Sequence, residues 1–256
     1  MAKKDYIFSN QLSMFGSREI VGFGEPDFYI KEMDKSVSNA MIIKNHYSHK
    51  VAGFATTYIY LGVYIENRLL GSLQFGFSMN PAGAKNIVKD TGIYEYLELN
   101  RMWISDEAGR NTESRAIAYC IKYIRGKHPK IQWIQSFADE RCGGFGIVYQ
   151  AANFKYYGEH SSDFYSLDGV AIHKIALTHH ADKRAAFEKV RARKDEMTKE
   201  SLRQFRYIYF INQRKIKDCL LKEMPYPKHY DNSNGFEKTE AGRAFKKYGK
   251  SCTTVD

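Results

Sequence analysis

The sequence predicts an α/β protein, a mixed central sheet flanked by helices and followed by a basic helical extension. Three observations predict it. Between residues 94 and 157 a strand pattern, a polar turn, a helix pattern, a second strand pattern, a glycine turn and a short helix follow one another. In that succession strands feed ligand sites at their carboxyl ends. Upstream, Tyr58 to Glu66 and Leu69 to Met79 alternate around Asn67-Arg68 as a hairpin does. Downstream, from Ala181 to Lys250, 19 Lys and Arg stand against 10 Asp and Glu, a surplus of nine within a net charge of +10.

The elements follow in order. Residues 1–26 carry Gly16, Gly22, Gly24 and Pro26 with little periodicity and read as an irregular arm. Asp27 to Met33 reads as a strand, and Asp34 caps a helix ending near Tyr47, with Val37, Met41 and Ile42 on one face. The loop SHKVAGFATT leads into the hairpin, and Pro81 to Asp90 is a loop with one helical turn. Tyr94 to Ser105 is the next strand, Asp106 to Asn111 a turn, and Thr112 to Lys127 a helix. Ile131 to Ala138 is a further strand, which Gly143 and Gly144 join to a helix at Phe145 to Asn153. Phe154 to Gly158 and Val170 to Thr178 are closing strands joined by the polar hairpin HSSDFYSLDG. From Asp182 to about Lys222 a charged helical region presents Leu202, Phe205, Tyr209 and Ile216 as its packing face. The stretch after Pro225 and Pro227 is polar and expected to be mobile. This order matches the GCN5-related acetyltransferase fold, so residues 1–180 are expected to form a catalytic domain and 181–256 the basic extension.

Composition narrows the function classes. A net charge of +10 favours polyanionic partners, nucleic acid ahead of membrane. Four scattered cysteines and the start MAKKDYIFSN suggest reduced thiols and a cytoplasmic protein. No apolar run approaches the ~18 residues a membrane span requires.

The candidate sites are clusters of chemical groups at element ends. Thr112 can cap its helix and leave the amides of Glu113, Ser114 and Arg115 at an anion-attracting start, with Arg110 and Arg115 adding charge. His46-Tyr47-Ser48-His49 could hold a base, a metal or a proton relay, or could simply cap a helix end. Asp139 and Glu140 end a strand, placed for base or ligand work or for pairing with Arg141. Arg101 shares a strand face with Leu97, Leu99 and Trp103 and therefore needs a partner, whereas Glu98 and Asn100 share the other face with Met102. Tyr58, Tyr60 and Tyr64 lie on one hairpin face, able to line a pocket for a flat base or to be half-buried sheet. Tyr149 could donate a proton to a leaving group or belong to the core.

Taken together, IKNHYSHK, LGVYIENRLLGSLQFG, LELNRMWI, RNTESRAI, SFADE and GGFGIVYQAANFKYYG resemble the phage Mu Mom-like family of DNA adenine modification proteins, over roughly Ile43 to Asp168. The resemblance implies a phage or prophage enzyme that converts adenine in double-stranded DNA to N6-carbamoylmethyladenine and so shields it from restriction endonucleases. It implies a divergent acetyltransferase-like fold and, by motif, roles for His46, Tyr47, Arg101, Ser114 and Asp139; Tyr149 joins them on position alone. The donor would be acetyl-CoA or another activated small molecule. Aligned from Arg110, however, Glu113 and Arg115 stand where the acetyltransferase turn has glycines, against the usual pose of coenzyme A. Because acyl transfer yields an amide and not an N–CH2 bond, a redox metal, iron on His46, Tyr47 and Asp139, is a further expectation. The target amine lies in the base stack, so the base would be flipped out and stacked on Tyr47 or Tyr64. The alternative is an acetyl-CoA-dependent N-acetyltransferase acting on a protein or small-molecule amine.

Overall fold

The computed structural model describes residues 6–12, 18–51, 57–140, 144–167, 170–173, 188, 191–228, 236–238 and 244–246. The strands are β1 (Tyr6–Leu12), β2 (Arg18–Glu25), β3 (Phe28–Glu32), β4 (Thr57–Ile65), β5 (Arg68–Gly76), β6 (Tyr96–Ile104), β7 (Trp133–Asp139), β8 (Lys155–Leu167), β9 (Val170–His173), β10 (Thr198–Phe210), β11 (Phe236–Lys238) and β12 (Ala244–Lys246). The α-helices are α1 (Lys35–Asn45), α2 (Thr112–Lys127) and α3 (Ile147–Ala151). The sheet order is β1-β2-β3-β4-β5-β6-β7-β10-β8-β9, with β11 and β12 paired separately. Strands β1 to β6 form an antiparallel meander, and β7 joins β6 in parallel. The expected mixed sheet flanked by helices is therefore present.

The chain forms two compact units. The first comprises Met1–Ser136, Ile147–Tyr157 and Tyr207–Tyr226. Its β4–β5 hairpin turns on Glu66 and Asn67, both at positive φ (49° and 64°), the backbone that matches the twist of paired strands. Alternation along the meander buries Ile30, Leu61, Val63, Leu73, Phe75 and Leu97. Helix α2 lays Ala116, Ile117, Cys120 and Ile124 on that core. Tyr96 stacks on Trp133 (centroids 4.8 Å apart) in a cluster with Ile208 and Phe210. Asp34 caps α1, its Oδ1 accepting from Ser36 N at 2.7 Å.

The second unit comprises Phe137–Gly146, Gly158–Arg206 and Pro227–Asp256. Here β8 and β9 pair antiparallel from Phe164↔His173 to Leu167↔Val170, and Phe164 packs with Leu202. Glu140 is fully buried and paired with Arg203.

Four expectations are corrected. Residues 1–26 are not an irregular arm, since β1 and β2 lie within them. Gly22 and Gly24 sit inside a strand because neighbouring backbone comes too close for a side chain: a Cβ at Gly22 would lie 2.3 Å from Ile30 O. On α1 the buried residues are Ser38 and Ile42, and Val37 is exposed. The polar hairpin after Gly158 is absent, because β8 runs unbroken through Leu167. Among its described residues the basic region is not mainly helical: Thr198 to Phe210 is a strand of the main sheet, flanked by 3-10 turns at Lys194–Glu196 and Gln213–Asp218. Leu202 and Phe205 are buried as expected, but on a strand, and Ile216 is exposed. Most of the stretch expected to be mobile after Pro227 lies outside the described residues.

Candidate functional site

In the first unit, the segment following α1 is fastened to the middle of β6. His46 ends the helix, its N–H closing on Ile42 O at 3.0 Å while its backbone turns extended. His49, at φ 47°, folds the chain back and donates its N–H to His46 O at 2.8 Å. The His46 ring is buried and lies 4.2 Å from that of Tyr47. Ser48 N donates to His46 Nδ1 at 3.1 Å, with Ser48 Oγ 2.8 Å from the same nitrogen. A backbone donor there makes Nδ1 an acceptor, so a neutral ring carries its proton on Nε2.

Arg101 closes the fastening. Its Nε donates to Lys50 O at 2.9 Å and its Nη1 to Asn100 O at 2.6 Å. Asn100 is the extra residue of a β-bulge, because Gln74 pairs with Arg101 and Phe75 with Leu99. The bulge interrupts the strict alternation expected along this strand. Asn100 Oδ1 accepts from Thr57 Oγ1 at 3.1 Å, and its Nδ2 donates to Phe77 O at 3.0 Å and to Glu98 Oε1 at 3.3 Å. Gln135 Nε2 supports the other Glu98 oxygen at 2.8 Å. The parallel β6–β7 ladder ends at Glu98↔Gln135.

A buried polar group across from Arg101 escaped the sequence reading. Gln74 Nε2 donates to Ser38 Oγ (2.9 Å) and Asn39 Oδ1 (3.0 Å), and Ser38 meets Ser72 at 2.7 Å. Gln74 Oε1 is buried with no partner among the described residues. The available signal was Ser72 and Gln74, two apart and hence on one face of an otherwise apolar strand.

The anion-ready turn stands at the carboxyl end of β6. Its cap differs from expectation: Asn111, left-handed at φ 64°, precedes α2, and Thr112 Oγ1 donates backward to Ala108 O at 2.6 Å and Gly109 O at 3.0 Å. Ser114 Oγ donates to Asn111 O at 3.1 Å. The first helical bond runs from Arg115 N to Asn111 O at 3.2 Å, which leaves the earlier amides at the helix start. Arg110 is exposed beside them. Arg115 is engaged elsewhere, pairing with Glu25 Oε2 at 2.8 Å and lying 4.2 Å over the Phe28 ring. The turn can thus hold an anion through the amides of Thr112 to Ser114 and Arg110. The Glu113 carboxylate, at the same turn, opposes it.

The remaining candidates are dispersed. Tyr64 stacks on Tyr29 (centroids 5.0 Å, planes 8° apart) at the hairpin end of β4, its hydroxyl pushed up by burial and by Tyr29. Tyr60 donates to Thr57 O. Tyr149 is a core residue against Phe154 and Tyr207. In the second unit Asp139 is buried at the end of β7, next to Glu140, which pairs with Arg203; Arg141, the expected partner, lies outside the described residues. The structure therefore brings His46, Tyr47 and Arg101 to one locality and places Tyr64, Tyr149 and the anion-ready turn elsewhere. Among the described residues no group of three His, Cys, Asp or Glu could hold a metal ion, so the expected iron gains no support. Among them, too, no helix is long and apolar enough to cross a membrane.

Comparison with known proteins adds relatives. Among solved structures, the chain is similar to the ribosomal-protein-S5-alanine acetyltransferase of Vibrio fischeri, at 12% identity and a TM-score of 0.43, over 75% of this chain and 98% of that one. It is similar also to an N-acetyltransferase of Staphylococcus aureus Mu50, at 15% identity and a TM-score of 0.42, over 72% of this chain and 98% of that one. In sequence it is 40% identical over 231 residues to methylcarbamoylase mom of Escherichia phage Mu, covering 88% of this chain and 94% of that protein. The model of the Mom protein family matches residues 27–228. With most of its length matched by both, this chain belongs to the Mom protein family.

Proposed function

We propose that this protein is a phage-type transferase that converts adenine in double-stranded DNA to N6-carbamoylmethyladenine and so protects the DNA from restriction endonucleases. The observation that carries the reading is 40% identity across nearly the whole of a phage methylcarbamoylase. The net charge of +10 supports a polyanionic substrate, and the enzyme would act in the host cytoplasm.

The reaction joins adenine N6 to a methylene carbon. One N6–H bond and one bond from that carbon to a leaving group break; the N6–CH2 bond forms, and the proton departs with the leaving group. Direct acyl transfer from acetyl-CoA would instead form an amide, so the donor is an activated carbamoylmethyl source or its precursor. The amides of Thr112 to Ser114 that open α2, with the Arg110 side chain, suit a phosphate on such a donor. His46, held by Ser48 beside Tyr47, is proposed as a proton-exchanging group, and Asp139 is proposed, by motif, as a further functional carboxylate.

The reading is tested by incubating purified protein and plasmid with cell extract and digesting the plasmid with adenine-sensitive restriction enzymes. Protection that is lost with His46→Ala supports it; full cutting by an extract-supplied, folded protein contradicts it.

A further inference from the structure

At the amino end of β6, opposite the anion-ready turn, the half-buried ring of Phe77 lies between two exposed rings, Tyr58 and Tyr94. Tyr58 opens β4, Phe77 follows β5, and Tyr94 precedes β6. The Phe77 ring lies 5.1 Å from Tyr58 and 5.5 Å from Tyr94, the latter edge-on. Tyr58 is 41% and Tyr94 64% exposed, and Met79 and Ile93 beside them in the chain are exposed as well. Isolated exposed apolar residues are ordinary, but rings in mutual contact at the surface mark a binding surface.

The patch is held rigid from beneath. Phe77 O accepts from Asn100 Nδ2, which Thr57 and Glu98 hold in turn, and Glu98 is braced by Gln135. Ser78, the next residue, bonds Tyr96 OH through Oγ at 2.7 Å. The rings are therefore presented on a fixed backbone at the same strand bulge that carries Arg101. Burial, then the neighbouring Tyr96 and Tyr94, push the Tyr58 hydroxyl up to about 12. On the segment between Phe77 and Tyr94, Lys85 and Lys89 are exposed, as is the single opposing charge, Asp90, which leaves a net charge of +1.

We propose that Tyr58, Phe77 and Tyr94 form the stacking platform for a nucleobase drawn out of duplex DNA, with Asn100 positioning the platform. This rests on the DNA-modifying reading above and names the surface that would receive the base. Because the rings are tilted to one another by 48° and 70°, a base would stack on the face of one of them, in the sequence-tolerant way that exposed rings allow, while the basic chain attracts the backbone that carries it. Tyr64 is the poorer platform, because its face is already covered by Tyr29.

The test uses the full chain and two labelled duplexes, one fully paired and one in which an adenine faces an abasic site and is extruded at little cost. Wild-type protein is expected to prefer the unpaired-adenine duplex. Tyr94→Ala and Phe77→Ala, checked for folding by circular dichroism, should each lose roughly five- to a hundredfold in affinity for it. Tyr94→Phe should retain it, and the salt dependence of binding should not change, because phosphate contacts remain. Undiminished preference in the folded alanine variants overturns the platform while leaving the DNA reading intact. So does an effect confined to self-association in sedimentation, which would make the patch a protein contact. Failure of the wild type to bind either duplex overturns both.

Discussion

Arg203 and Glu140 form a buried pair anchored at three points. Arg203 Nε and Nη2 donate to Glu140 Oε1 at 2.9 and 2.7 Å, and the Arg203 backbone N–H donates to Oε2 at 2.8 Å. The Glu140 side chain is fully buried, and that of Arg203 is 15% exposed. Removing one partner leaves an uncompensated charge in the interior. Arg203→Met is expected to destabilise the protein by about 3–5 kcal/mol, whereas Arg203→Met with Glu140→Leu should recover most of the loss. Urea unfolding of the two variants checks this. Equal destabilisation of both would show that the charge pair is not the cause.

Mild acid should weaken the fold through two buried histidines. Burial lowers His128, with Lys127 adding to the effect, and burial followed by Arg206 lowers His160, both from an ordinary 6.5. A depressed imidazole is neutral in the folded chain and protonates more readily in the unfolded one. Stability is therefore lost as pH falls through the ordinary value towards the lower folded one. Melting temperature should drop between about pH 7 and pH 5, and less steeply in a His128→Asn, His160→Gln double variant. Parallel profiles would contradict the assignment.

Arg110 and Arg115 should separate in function although five residues apart. Arg115 is committed to Glu25, Phe28 and Tyr119, so Arg115→Ala is expected to cost about 1 kcal/mol of stability and little donor affinity. Arg110→Ala should leave stability unchanged and raise the KM for donor several-fold. Thermal melts with donor titration distinguish the two, and a donor defect in Arg115→Ala alone would reverse the assignment.

Local patterns made much of the first unit legible. The strand ending at Ile104, the turn, and α2 from Thr112 to Lys127 follow from alternation and 3.6-residue periodicity, and the β4–β5 hairpin does too, although it turns on Glu66 and Asn67, one residue before the expected Asn67-Arg68. Strand β10 was illegible because Leu202, Phe205 and Tyr209 are spaced as on a helix face. Its charged residues are explained by partners distant in sequence: Lys199 meets Asp163, Arg203 meets Glu140, and Arg206 lies over Phe137. Gly22 and Gly24 misled in the same way, their cause being the approach of β3 and not a local turn. In the site, His46, Tyr47 and Arg101 were visible as chemical types. Their connection through Lys50 O and the bulge at Asn100 was not, since a bulge leaves no periodic signal. The aromatic patch was half visible: Tyr58 stood out in its strand, but its companions lie outside the strands, at Phe77 and Tyr94.

The most direct measurement is mass spectrometry of nucleosides from plasmid DNA of cells expressing the protein, beside cells expressing Asp139→Ala. A new deoxyadenosine heavier by a carbamoylmethyl group, present with the wild type and absent with the variant, is the expected result. Unmodified DNA in cells that hold abundant folded wild-type protein would contradict the DNA-modifying reading, and bound coenzyme A in that protein would turn attention to amine acetylation.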